Sequence, residues 1–132
     1  MVRPRQENPT PAELEVLQVL WEHGPSTVRE VMTALNGRRP RAYTSVMSLM
    51  NVMAEKGLLR SKPQGRAFVY SARVSRDMVQ SRIVSDLLGR VFDGSASTLV
   101  LHLLKQSKTD PQEIEEIRKA IAEFEQKKGS KS

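Results

Sequence analysis

Residues 42–72 read AYTSVMSLMNVMAEKGLLRSKPQGRAFVYSA, and the period of the apolar side chains changes part-way along. Val46, Leu49, Met50 and Met53 recur at three- and one-residue steps, the signature of one helix face. The spacing predicts a helix from Ala42 or Tyr43 to Lys56, with Gly57 as a left-handed cap. Thr44, Ser45, Met47, Ser48 and Asn51 are then left facing outward. Past Gly57, residues 58–62 and 67–71 are short runs suited to strands, and they flank PQGR. Pro63 followed by Gly65 suits a tight turn, so a two-stranded hairpin is expected.

Two further helices precede this stretch. Thr10-Pro11-Ala12-Glu13 combines a Thr N-cap, a first-turn Pro and a Glu three residues after the cap. Leu14, Leu17, Val19, Leu20 and Trp21 follow at helical spacing until Gly24-Pro25. A second start falls at Ser26 or Thr27, and its stripe of Val28, Val31, Met32 and Leu35 ends at Asn36-Gly37. Three short helices followed by a hairpin is the order of a winged helix-turn-helix. The expected fold is mainly α: a winged helix-turn-helix with a two-stranded β wing over residues 1–73, then a helical arm over 74–132.

The arm reads as three helices. Ser75 caps one that carries Met78, Val79, Ile83, Leu87, Leu88, Val91 and Phe92, broken at Gly94-Ser95. STLVLHLLK (97–105) is short and very apolar. Asp110-Pro111 opens a third helix, with Ile114, Ile117, Ile121 and Phe124 ahead of a polar tail, KKGSKS. Leu99, Val100, Leu101, Leu103 and Leu104 crowd five aliphatic residues into six positions, more than one face of a short helix can hide. Either a second copy covers them, or the neighbouring helices of the same chain do.

Charge is distributed unevenly. The chain has 132 residues and a net charge of +6, with 11 basic against 6 acidic residues over 1–73 and 10 against 9 over 74–132. Residues 38–66 hold Arg38, Arg39, Arg41, Lys56, Arg60, Lys62 and Arg66 against Glu55 alone. Such a concentration is either a solvated basic face or a surface for a polyanion, and it coincides with the helix whose outer face is rich in hydroxyls. A recognition helix enters the major groove by its N-terminal residues. There Thr44, Ser45 and Ser48 would meet base edges, with small side chains that allow close approach. Arg38, Arg39 and Arg41 would meet flanking phosphates, Tyr43 a sugar or phosphate, and Lys62 and Arg66 the backbone beside the wing. The structural alternative is that Thr44 and Ser45 merely cap the helix.

Other functions find little support. The chain has no cysteine, which removes disulfides, thiolate metal sites and cysteine nucleophiles, and fits a reducing cytoplasm. No metal ligand set or cofactor is expected. His23 and His102 lie far apart without metal-ligand spacing, Glu115-Glu116 reads as a solvated face, and no Gly-rich phosphate loop occurs, so no catalytic residues are assigned. No apolar run approaches the ~18 residues of a membrane span, and MVRPRQENPT does not resemble a secretory signal, so neither membrane insertion nor export is expected. The rival to a DNA-binding role is a winged-helix module that binds protein or RNA. Single-strand RNA readers present aromatic platforms, and Tyr43 is the one aromatic residue on the expected surface.

The blocks TPAELEVLQVLWEHGPSTVREVMTAL, AYTSVMSLMNVMAEKGLL, GRAFVYSA, RVFDGSASTLVLHLL and EIEEIRKAI occur in order over residues 9–125. Together they resemble the penicillinase-repressor family, the BlaI/MecI-type transcriptional regulators. The resemblance implies a homodimeric repressor on a dyad-symmetric double-stranded DNA operator, with Thr44, Ser45 and Ser48 in the groove and the wing at 62–66. It further implies an arm that dimerises, for which Leu88, Val91, Phe92, Leu99, Val100, Leu101, Leu103, Leu104, Ile117 and Ile121 are the candidates. Relatives that respond to copper carry C-terminal cysteines, which this chain lacks. Relatives released by a membrane-anchored metalloprotease sensor carry Asn-Phe in the first arm helix, where this chain has Asp86-Leu87.

Overall fold

A computed structural model describes residues 8–106 and 109–130. The first seven residues of the polar start and the last two of the tail lie outside the described residues. Helix α1 (Pro11–His23) begins with a closed capping box: Thr10 Oγ1 accepts from Glu13 N–H at 3.2 Å, and Glu13 Oε1 accepts from Thr10 N–H at 2.9 Å. Helix α2 (Val28–Asn36) starts the same way, and Thr27, not Ser26, is its cap, bonded reciprocally with Glu30. Helix α3 (Tyr43–Glu55) follows, and Gly57 takes the left-handed φ of 87° that ends it. Val16, Leu17, Val31, Val46, Met50 and Met53 interlock as the centre of one apolar core.

Strands β2 (Leu59–Gln64) and β3 (Ala67–Ala72) form the wing. Their antiparallel register runs from Leu59 opposite Ala72 to Gln64 opposite Ala67, so the turn is only Gly65-Arg66, with Gly65 at φ 64°. The expected four-residue turn is shorter because β2 is an edge strand, where Pro63 removes no interior ladder bond. A third strand was not anticipated: β1 (Ser26–Thr27) pairs with β3 at Tyr70 and Val69. The fold is a winged helix with a three-stranded antiparallel sheet, ordered β1-β3-β2.

Helix α4 (Arg76–Arg90) opens with Ser75 Oγ accepting from Met78 N–H. Its start is tied down by Trp21 Nε1–H donating to Val74 O at 2.9 Å, by Arg76 over the Trp21 ring, and by buried Val79. The compact units of the chain divide after Asp86. The expected run of α4 through Phe92 is cut short at Arg90. Asp93 (φ 50°) and Gly94 (φ 82°) are both left-handed, and Gly94 N–H donates back to Leu88 O, so Val91 and Phe92 lie in the turn. The second unit holds α5 (Ala96–Gln106), capped by Ser95, and α6 (Pro111–Ser130), capped by Asp110. Helix α6 runs on through the first four residues of the polar tail, to Ser130. No described residue from Leu87 onward is fully buried. Among the described residues no helix is long and apolar enough to cross a membrane.

Among the described residues, the head hides one carboxylate almost completely. Glu13 is 2% exposed, and its Oε2 accepts from Lys56 Nζ at 2.9 Å, which joins α1 to the end of α3. Burial alone would raise the Glu13 carboxyl, but hydrogen bonds from Lys56 and Thr10 outweigh it and hold the group below its ordinary value of 4.5. Glu15 is also held low, chiefly by a hydrogen bond from Arg41. Depressed carboxyls contribute stability that is present above the unfolded value and lost as pH falls through the folded one. Urea midpoints should therefore hold as pH is lowered from about 7 to about 5.5 and fall progressively below that. Glu13→Gln keeps the capping geometry but not the charge, and it should make that decline shallower.

Candidate nucleic-acid interface

The outer face of α3 is organised from its first residue. Ala42 occupies the N-cap position and makes no side-chain cap bond, so the hydroxyls of Thr44 and Ser45 are not consumed in starting the helix. Both side chains are exposed, as are Met47, Ser48 and Asn51. Tyr43 lies half-exposed at the first turn, with the Arg29 guanidinium 5.3 Å from its ring centroid, a cation–π contact that joins α2 to α3.

The preceding loop is fixed at two points. Arg41 N–H donates to Asn36 Oδ1 at 2.9 Å, and Arg41 Nη2 lies 2.8 Å from both Glu15 oxygens. Arg41, expected at a phosphate, is engaged within the head in the absence of DNA. Its side chain is 13% exposed and its charge is spent on α1. Arg38 and Arg39, by contrast, are exposed and form no ion pair among the described residues. The same holds for Lys62 on β2 and Arg66 in the wing turn.

Between α2, α3 and the wing lies an open cavity of about 530 Å³. It brings Arg66, expected from the sequence, together with Arg29, Met47, Asn51, Phe68 and Tyr70, to which sequence reasoning gave no role. Met47 and Asn51 share an outward stripe with Thr44, and that spacing was the available signal. Arg29, Phe68 and Tyr70 come from separate elements, and no local pattern marks them. Thr44, Ser45 and Ser48 continue the same helix face towards Arg39, which borders a second cavity with Ser45 on the far side of α3. The surface offers hydroxyl, amide and apolar groups at its centre with cations at both ends, the arrangement that suits base edges flanked by phosphates.

A family model described as the penicillinase repressor matches residues 9–123. The chain belongs to the penicillinase-repressor family. Within it, the chain is 33% identical over 121 residues to the transcriptional regulator BlaI of Mycobacterium tuberculosis, an alignment covering 90% of this chain and 86% of that protein. It is 27% identical over 118 residues to the penicillinase repressor of Bacillus licheniformis, covering 89% of this chain and 91% of that one. Against the solution structure of the DNA-binding domain of the repressor BlaI the identity is 28% and the TM-score 0.48, over 53% of this chain and 88% of that structure. The family membership thus extends from the winged helix through most of α6.

In the second unit, the penicillinase-repressor arm leaves much apolar surface open. Leu101 is 56% exposed and Leu103 57%, and Val91, Val100, Leu104, Ile117 and Ile121 are also exposed. Leu88, Phe92 and Leu99 are half-buried, and Phe92 lies against the His102 ring at 5.5 Å. Leu87 and Phe124 join the exposed set.

Proposed function

We propose that this chain is a transcriptional repressor that binds double-stranded DNA through α3 and the wing, as a homodimer on a dyad-symmetric operator. The observation that carries the reading is the uncapped start of α3, where exposed Thr44, Ser45 and Ser48 stand between the cations of 38–39 and those of the wing. Thr44, Ser45 and Ser48 would read bases, while Arg38, Arg39, Lys62, Arg66 and the Tyr43 hydroxyl would hold the backbone. Arg41 instead positions the loop that delivers α3. The head comprises residues 1–73 and the arm 74–132, and the exposed aliphatic surface of α5 and α6 supports pairing of two arms. Names of relatives such as transcriptional regulator and penicillinase repressor support the same reading.

The deciding experiment compares duplex DNA, single-stranded RNA and heparin as ligands of the purified protein. Saturable, salt-sensitive binding that favours certain duplex sequences supports the proposal; equal binding to all three polyanions counts against it. Lys62→Ala and Arg66→Ala should each flatten the plot of log affinity against log salt by about one unit, because each lost phosphate contact removes one counterion-release event. Alanine at Thr44, Ser45 or Ser48 should act differently. Each should cost on the order of 1–3 kcal/mol against the preferred sequence and little against scrambled DNA. Parallel losses on both duplexes in gel shifts would remove these residues from base reading.

Repression would end by severing the arm. The bond between Asp86 and Leu87, which aligns with the relatives' cleaved position, lies where the two compact units divide. It is also inside helix α4, so a protease would need local unwinding first. A membrane-anchored metalloprotease sensor is the partner that the family suggests. An N-terminal fragment ending between residues 75 and 92 after induction supports this route, and intact protein under active target genes refutes it.

A further inference from the structure

Met47 and Asn51 are one helical turn apart on α3, which sets their Cβ atoms about 5–6 Å from each other on the same face. Met47 is 36% exposed and borders the cavity between α3 and the wing, with Phe68, itself 56% exposed, across from it. Large apolar side chains in this position gain nothing from water, and no described residue closes over either of them. Asn51 has a different constraint. Its Oδ1 accepts a hydrogen bond of 2.8 Å from Tyr70 Oη–H, and Tyr70 is only 5% exposed. The amide oxygen is therefore turned inward to a buried phenol. The amide nitrogen forms no hydrogen bond among the described residues and retains both of its N–H donors. Burial pushes the Tyr70 phenol up, so it stays protonated and remains the donor.

These facts restrict which base edge fits. In the major groove, adenine offers an acceptor and a donor, guanine two acceptors, cytosine a donor, and thymine an acceptor beside a methyl group. An asparagine that reads adenine aims both limbs of its amide at the base. Here one limb is held by Tyr70. Cytosine would set its N4–H donors against the Asn51 donors. Guanine has no methyl for the apolar wall. Thymine alone matches an amide donor one turn from an apolar side chain. Resting on the DNA-binding reading above, we propose that Met47 and Asn51 form a thymine reader. Asn51 Nδ2 donates to thymine O4, Met47 and Phe68 enclose the 5-methyl group, and Tyr70 is the positioning residue that orients the amide.

The test uses the full-length protein. Duplexes are enriched from a randomised pool, and each thymine of the preferred sequence is then replaced singly. Uracil removes only the methyl group. A 5-methylcytosine–guanine pair keeps the methyl group and exchanges the O4 acceptor for an N4 donor. One thymine per half-site should be sensitive to both changes. Uracil there should weaken binding about fourfold, the effect of one buried methyl group. The 5-methylcytosine pair should weaken it about 5- to 150-fold, the ordinary cost of one wrong base pair. Met47→Ala should abolish the uracil effect and keep the other. Tyr70→Phe should do the reverse, since the freed amide can rotate and present its oxygen to cytosine. Asn51→Asp, an acceptor only, should shift preference at that position towards cytosine, and this readout of base preference survives any general loss of affinity. The proposal is overturned if no thymine shows both sensitivities, or if they persist unchanged in all three variants. Failure to enrich any duplex overturns the DNA-binding reading itself, and the two failures are thereby distinct.

Discussion

A chain carrying Leu101→Glu should sediment as a monomer and bind a duplex with two half-sites about 10²–10⁴-fold more weakly, with its affinity for one half-site unchanged. The argument begins with α5. Val100, Leu101, Leu103 and Leu104 are all between 39% and 57% exposed, and they cover well over a third of the helix circumference. Surface of this kind contributes roughly 25 cal/mol per Å² once removed from water, and in the proposed dimer a second arm would cover it symmetrically. A glutamate placed within that contact must lose its hydration without a partner charge, which a paired arm does not tolerate. The reading head is untouched, because its core of Leu17, Val31, Met50 and Met53 belongs wholly to the first unit. Two joined heads bind two half-sites because the first contact holds the second at high effective concentration. Unjoined heads lose that term alone. A cut between residues 75 and 92 should give the same affinities as the substitution. Retained dimers, or an equal loss on the single half-site, would show that the arm acts on the head in some other way.

Much of the head was legible in the sequence because its signals are local. A capping box needs only Thr10 and Glu13 at the right separation, and that box formed; the second start, read at Ser26 or Thr27, proved to be Thr27 with a box of its own. The stripe of Val46, Leu49, Met50 and Met53 points to one core whatever lies across from it; Val46, Met50 and Met53 are buried, and Leu49 is half-buried against them. What escaped depends on partners distant in the chain. Strand β1 is two residues long and exists because Tyr70 and Val69 pair with it. The end of α4 was set by a left-handed Asp93, which composition does not reveal.

The candidate site divides the same way. Thr44, Ser45 and Ser48 were legible from helical period, since any residue opposite the core stripe faces outward. Arg38 and Arg39 were legible as charge, and they remain exposed. Arg41 looked equivalent to them, yet its partner Glu15 lies 26 positions earlier on another helix. The link between Asn51 and Tyr70 crosses 19 positions and two kinds of secondary structure. Counting charges locates a basic region; only the fold decides which members of it are available.

That distinction can be measured at the Arg41–Glu15 pair. Replacing Glu15 with Met should destabilise the head by about 2 kcal/mol, less than the roughly 3–5 kcal/mol lost when one partner of a fully buried pair is removed. The discount follows from side-chain exposures of 13% for Arg41 and 25% for Glu15. The loss is still substantial, because Arg41 Nε and Nη1 already lack hydrogen-bond partners among the described residues and the guanidinium would have none left there but solvent. Arg41→Met should cost less, about 1 kcal/mol, since Glu15 is the more exposed partner and can draw on water. The double Met variant should approach wild-type stability, because apolar groups of similar size replace a buried ion pair at little net cost. Urea denaturation of the four proteins closes the cycle and isolates the coupling between the two residues. The same Arg41→Met protein then tests the site: its salt slope on duplex DNA should equal that of wild type, unlike those of Lys62→Ala and Arg66→Ala. A slope reduced by about one unit would mean that Arg41 leaves Glu15 for a phosphate when DNA binds, so that the ion pair holds the loop only in the free protein.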